Sequence, residues 1–159
     1  MATVVLAHGA WSAAWAWKKM RPLFRAAGHE FFSPTYTGLG ERAHLARPEV
    51  DLSTHVQDVA AVFGVEDLKD VTLLGHSYGG MVATGVADRA RESINQVIYL
   101  DAFVPRDGQS LLDLNEVARA RMQEAAKGGD GWRVPVIFTD FDPTWVRNKM
   151  DNTSIDAFQ

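Results

Sequence analysis

Cysteine is absent from the 159-residue chain. Its absence excludes disulfides, thiolate metal sites and cysteine nucleophiles. No apolar run reaches the ~18 residues of a membrane span, so no membrane partner is expected. Basic runs are missing too, and 16 basic against 20 acidic residues leave a net charge of −4. Nucleic acid is therefore not expected as a partner. The N-terminus has no basic leader region and enters an apolar segment at once, which predicts a cytoplasmic protein. Histidine is the more telling shortage: all five, His8, His29, His44, His55 and His76, precede residue 77. No pair of histidines or carboxylates has metal-ligand spacing, so no metal and no other cofactor is expected.

What is present reads as one soluble domain. Hydrophobic residues make up 47% and charged residues 23% of the chain, ordinary for a globular protein. Short apolar runs at Thr3 to Ala7, His29 to Tyr36, Val71 to Gly75 and Gln96 to Leu100 predict four strands. Pro34 puts the second strand at a sheet edge. Helical patterns separate the strands. The first runs from Ala13 to Ala27, stopped by Gly28 and either kinked or begun at Pro22. The second opens on a capping box, Thr54-x-x-Gln57, and runs to about Leu68. The third spans Met81 to Arg91. This alternation predicts an α/β fold with a doubly wound parallel sheet covered on both faces.

The pattern changes after Pro105, so residues 1–105 are expected as the core and 106–159 as a cap or lid. Leu111 to Lys127 is amphipathic and Gly128 to Gly131 is a flexible break. Trp132 and Trp145, with Phe138 and Phe141, are either an apolar lid or ordinary packing against the sheet.

The segment Gly75-His76-Ser77-Tyr78-Gly79-Gly80 joins the third strand to the third helix. Strand, glycine-spaced turn with a central serine, then helix is the setting of a G-x-S-x-G nucleophile elbow. The glycines allow a sharp turn that projects the Ser77 hydroxyl above the sheet. Helix-terminal amides beside it can stabilise a forming anion. A second glycine motif, Gly38-Leu39-Gly40-x-x-Ala43 with Asp58 downstream, formally matches a dinucleotide fingerprint, but Pro48 delays the following helix too far for that turn. Glu41 and Arg42 read instead as a pair anchoring the loop. His44 and His55 read as isolated surface or loop histidines.

Four motifs in order, His8-Gly9-Ala10-Trp11, Thr37-Gly38-Leu39-Gly40-Glu41-Arg42, Gly75 to Gly80 and Tyr99-Leu100-Asp101-Ala102-Phe103-Val104-Pro105, resemble the α/β-hydrolase fold. More narrowly they resemble its small esterase branch, which includes plant methylesterases and hydroxynitrile lyases. The resemblance implies a carboxylic ester hydrolase acting on a small-molecule ester through an acyl-enzyme. It implies Ser77 as catalytic nucleophile, the backbone N–H groups of Ala10 and Tyr78 as the oxyanion hole, and Trp11 as a substrate-binding residue. His8 is expected as a structural partner of its loop, and His76 is expected to point away from Ser77. Gly9 stands where the lyase branch has threonine and favours hydrolysis.

In this family the acid and histidine follow the serine, yet no histidine follows Ser77. Asp101, at the end of the fourth strand, is a conceivable substitute acid, although the family takes its acid from a later strand. The resemblance therefore implies a chain cut within its cap, lacking its C-terminal strands and leaving the fourth strand as an open edge. Either a complementary C-terminal polypeptide or a second copy is expected to cover that edge. A ligand-binding or assembly protein on a hydrolase scaffold, and a hydroxynitrile lyase, remain as alternative readings.

Overall fold

Alternation along Thr3–Ala7 (β1) sends Val5 and Ala7 to one side of a sheet and Val4 and Leu6 to the other. In the computed structural model, which describes residues 1–136, 153–154 and 157–159, β1 lies beside Val71–Ser77 (β3) and Glu30–Phe32 (β2). Ile94–Ala102 (β4) pairs with the far side of β3. The order is β2-β1-β3-β4, all parallel, so β2 occupies an edge as Pro34 predicts. The chain reverses its winding between β1 and β3, and the crevice outside their C-terminal ends is where such sheets bind ligands.

The two faces are covered unevenly. Leu52–Val65 (α2) and Gly79–Arg89 (α3) pack on one face, where Val56, Val59, Phe63, Met81, Val82 and Val86 join Val5, Val71 and Leu73. On the opposite face the described residues form a smaller apolar cluster, Val4, Leu6 and Leu74, flanked by Trp17, Phe24 and Phe31. Its helix, Met20–Ala26 (α1), buries none of its own residues. The long first helix expected from Ala13 breaks into a 3-10 turn at Ala14–Trp17 and α1. Pro22 lies in the first turn of α1, where its missing N–H costs nothing.

Other boundaries shift for local reasons. The helix α2 opens at Leu52, not at Thr54, because Asp51 accepts the Thr54 N–H at 2.7 Å and acts as its N-cap. The expected capping box does not form. The amphipathic run after Pro105 divides into Leu111–Leu114 (α4) and Glu116–Lys127 (α5), each with its own cap, Ser110 and Asn115. Arg133–Val134 (β5) and Thr153–Ser154 (β6) form a small antiparallel ribbon. Trp132 is half-buried under the Arg133 guanidinium, whereas Trp145, Phe138 and Phe141 lie outside the described residues.

Among the described residues β4 has a strand partner on one side only. Ile98, Tyr99 and Leu100 are 42%, 37% and 47% exposed, more than a covered central strand would leave them. Among the described residues, the open edge read from the sequence is present.

Candidate active site

The turn from β3 into α3 is built around close backbone contact. A Cβ on Gly79 would overlap the Ala7 carbonyl oxygen, and one on Gly80 would overlap the Phe103 carbonyl oxygen. Only glycine lets the first turn of α3 slide between the ends of β1 and β4. Ser77 itself sits at φ +54°, a left-handed conformation that costs a side-chain-bearing residue about 1–2 kcal/mol. Its carbonyl accepts the Phe103 N–H at 3.1 Å, tying the strained residue to the end of β4. The hydroxyl has no hydrogen-bond partner among the described residues.

The loop after β1 lies against this serine. A Cβ on Gly9 would stand 3.3 Å from the Ser77 Cβ and 3.3 Å from His76 Nδ1, so a larger residue there would press on the elbow. The backbone N–H groups of Ala10 and Tyr78 find no acceptor among the described residues, although both residues are buried. Buried amides without partners are rare in folded proteins. Two N–H donors next to a hydroxyl are able to stabilise negative charge on an oxygen.

The five histidines fall into distinct surroundings. Strand alternation turns His76 to the α1 face, where its ring meets Trp17 edge-on with centroids 5.5 Å apart. Burial lowers its pKa while the Asp101 charge raises it. Asp101 adopts φ +44° beside the register shift between His76 and Ser77, and its carboxylate acts on His76. His8 is fully buried, with Nδ1 2.8 Å from the Gly9 carbonyl and Nε2 accepting the Tyr36 N–H at 3.3 Å, the loop-holding role expected of it. His29 accepts the Ala2 N–H at 3.1 Å, and His44 is exposed.

His55 corrects the sequence reading. It is a buried residue, with Nδ1 2.9 Å from the Tyr78 hydroxyl and Nε2 3.2 Å from the Thr37 carbonyl. Burial holds its pKa down at about 4, and that of His8 at about 3. Its position i to Val59 and Phe63 at i+4 and i+8 on the buried stripe of α2 was the available signal. The Glu41–Arg42 pair is also corrected. Arg42 bonds Asp58 at 2.8 Å, and Asp58 in turn accepts the Thr37 N–H at 2.6 Å and the Thr37 hydroxyl at 3.0 Å. Asp58, which a dinucleotide site would present to a ribose, is thereby occupied in holding the loop.

Trp11, also left-handed at φ +57°, is 5% exposed. Its indole N–H donates to the Val134 carbonyl at 2.9 Å and its ring lies 5.6 Å from Phe158. Phe158 meets the Tyr78 ring edge-on at 5.5 Å. Trp11, Tyr78 and Phe158 thus form one packed aromatic unit joining the elbow to the segment after α5. Among the described residues no cluster of three or more histidine, aspartate or glutamate side chains could hold a metal, and no helix is long and apolar enough to cross a membrane.

Comparison with known proteins agrees with this geometry. A carbendazim-hydrolysing esterase of Nocardioides sp. (strain SG-4G) is 52% identical over 114 residues, covering 72% of this chain and 47% of that protein. Polyneuridine aldehyde esterase of Rauvolfia serpentina is 31% identical over 113 residues, covering 67% and 41%. The chain thus spans about half the length of these relatives. Among solved structures, an extracellular α/β-hydrolase from a Paenibacillus species, described as homologous to tobacco salicylic acid binding protein 2, superposes with a TM-score of 0.88. That match has 25% identity and covers 99% of this chain and 68% of that one. This likeness to an extracellular enzyme overturns the cytoplasmic expectation. Residues 4–154 match the model of the alpha/beta hydrolase family, and the chain belongs to that family.

Proposed function

We propose that the chain carries the nucleophile and the oxyanion hole of a carboxylic ester hydrolase. Ser77 Oγ attacks the carbonyl carbon of a small-molecule ester, its proton passes to a base, and the carbonyl oxygen becomes an oxyanion. The Ala10 and Tyr78 N–H groups hold that oxyanion. Collapse of the tetrahedral adduct expels the alcohol and leaves an acyl group on Ser77, which water then removes. Trp11 stands beside the acyl group, and residues 106–159 form a cap over the 1–105 core. The observation that carries this reading is the left-handed Ser77 flanked by two buried amides that have no acceptor among the described residues.

The base is not one of the chain's own histidines. His8 and His55 are bound elsewhere, His29 holds Ala2, His44 is exposed, and His76 faces Trp17. In this reading a segment like the remaining half of the relatives, pairing along the edge of β4 that is open among the described residues, supplies it. Gly9, pressed between His76 and Ser77, favours hydrolysis over the lyase reading.

The absence of a histidine after Ser77 favours one second reading, a binding protein on a hydrolase scaffold. Boron-11 NMR with phenylboronic acid tests the first reading without requiring a base. A tetrahedral adduct that disappears in Ser77→Ala is the expected result. Trigonal boron throughout overturns it.

A further inference from the structure

We propose that the buried stack His55–Tyr36–His8 is a positioning device that keeps the Ala10 and Tyr78 amides in register, with His55 controlling the Tyr78 side. The proposal rests on the oxyanion role assigned to those amides and adds the residues that aim them.

The Ala10 side is set by one peptide plane. Gly9 C=O and Ala10 N–H belong to the same trans peptide, so they point in opposite directions. The Gly9 carbonyl accepts from Ser12 Oγ at 3.2 Å and faces His8 Nδ1 at 2.8 Å. His8 Nε2 accepts the Tyr36 N–H, so the ring proton sits on Nδ1 and His8 donates to Gly9. With the carbonyl gripped from one side, the Ala10 N–H is turned to the other.

The Tyr78 side follows from the same logic. The Thr37 carbonyl can only accept, so the proton of His55 is on Nε2 and Nδ1 is the acceptor. Tyr78 O–H therefore donates to His55 Nδ1. This fixes the side chain of the residue whose N–H opens α3.

Tyr36 joins the two sides. Its ring stacks on His8 with centroids 3.7 Å apart and on His55 at 4.8 Å, and its hydroxyl donates to the His8 carbonyl at 2.8 Å. His8, Tyr36, His55 and Tyr78 are each at most 1% exposed. All four are neutral, and every polar side-chain atom of the stack has a partner. A fully satisfied buried network rigidifies what it touches. Two donors that converge on one oxygen need that rigidity, since a displacement of about 1 Å can cost a hundredfold in rate.

Two conservative variants separate positioning from bulk stability. His55→Asn keeps an acceptor near Nδ1 for Tyr78, whereas His55→Gln keeps a donor near Nε2 for Thr37. In the 15N-labelled chain, His55→Gln is expected to move the Ala10 and Tyr78 amide resonances together. It should also weaken phenylboronic acid binding about tenfold, the scale of a misaimed donor, which is less than its removal costs. His55→Asn is expected to restore both. Wild-type amide shifts in His55→Gln, or equal displacement in both variants, would overturn the proposal. Should His55→Gln fail to fold, Tyr78→Phe, which deletes only the hydroxyl, must move the Ala10 amide as well. If the wild-type chain binds no boronate, the oxyanion reading falls, and the amide shifts still decide whether the stack positions the loop.

Discussion

Gly79 lies against Ala7 so closely that any side chain would overlap the Ala7 carbonyl oxygen. That contact lets the end of β1 and the start of α3 meet over Ser77. Gly79→Ala should therefore destabilise the fold by about 1–3 kcal/mol or more, the cost of overpacking against rigid backbone. Gly64→Ala, near the end of α2 with nothing within 4 Å of the new methyl, should stabilise it by about 0.5–1 kcal/mol. Thermal melts of the two variants give opposite signs. Equal melting temperatures would contradict the steric account of the elbow.

Strain at Ser77 makes a second pair of outcomes. Glycine adopts φ +54° without penalty, so Ser77→Gly should raise the melting temperature by about 2–4 °C, the equivalent of ~1 kcal/mol. It should also remove all serine chemistry. A variant that melts lower would mean that the hydroxyl has a structural role.

The buried histidines predict an acid limit. His8 and His55 have folded pKa values lowered by burial to about 3 and about 4, against 6.5 for the free side chain. Between pH 6.5 and about 4 the unfolded chain binds more protons than the folded one, so stability is complete above pH 6.5 and falls as pH drops. The loss is on the order of 2 kcal/mol per histidine at pH 5. Asp51 and Asp58 oppose the shift at His55 and Arg42 reinforces it, while His55 and His76 reinforce that at His8. In urea titrations, His55→Gln should flatten this dependence by about half. An unchanged slope would mean that His55 is protonated in the fold.

The β4 edge predicts association. With Ile98 and Leu100 more than 40% exposed beside unpaired strand amides, sedimentation velocity should show concentration-dependent self-association. Ile98→Lys with Leu100→Lys should suppress it. A strictly monomeric wild-type chain with freely exchanging β4 amides would contradict the edge as a pairing site.

Sheet and elbow were legible because their causes are local. Val71 to Leu74 is a buried apolar run, and the glycines around Ser77 answer a steric demand visible in the pentapeptide. The alternation of strands and helices implies the parallel sheet, whereas the open side of β4 is implied only by the resemblance to a longer family. What escaped depends on residues far apart in sequence. Asp58 pairs with Arg42 across 16 positions and displaces Glu41, a neighbour that proximity alone suggested. His55 meets Tyr78 across 23 positions, and no local pattern names that partner. The cap of α2 was misread by three residues because Thr54-x-x-Gln57 imitates a capping box one turn inside the helix that Asp51 begins.

The most direct test of Ser77 as the nucleophile is intact-mass analysis after exposure to a fluorophosphonate, followed by peptide mapping. The account predicts one adduct per chain, on Ser77. It should form slowly with the chain alone and faster when a histidine-bearing polypeptide accompanies it along β4. No adduct after prolonged exposure, or an adduct that survives Ser77→Ala, would contradict it.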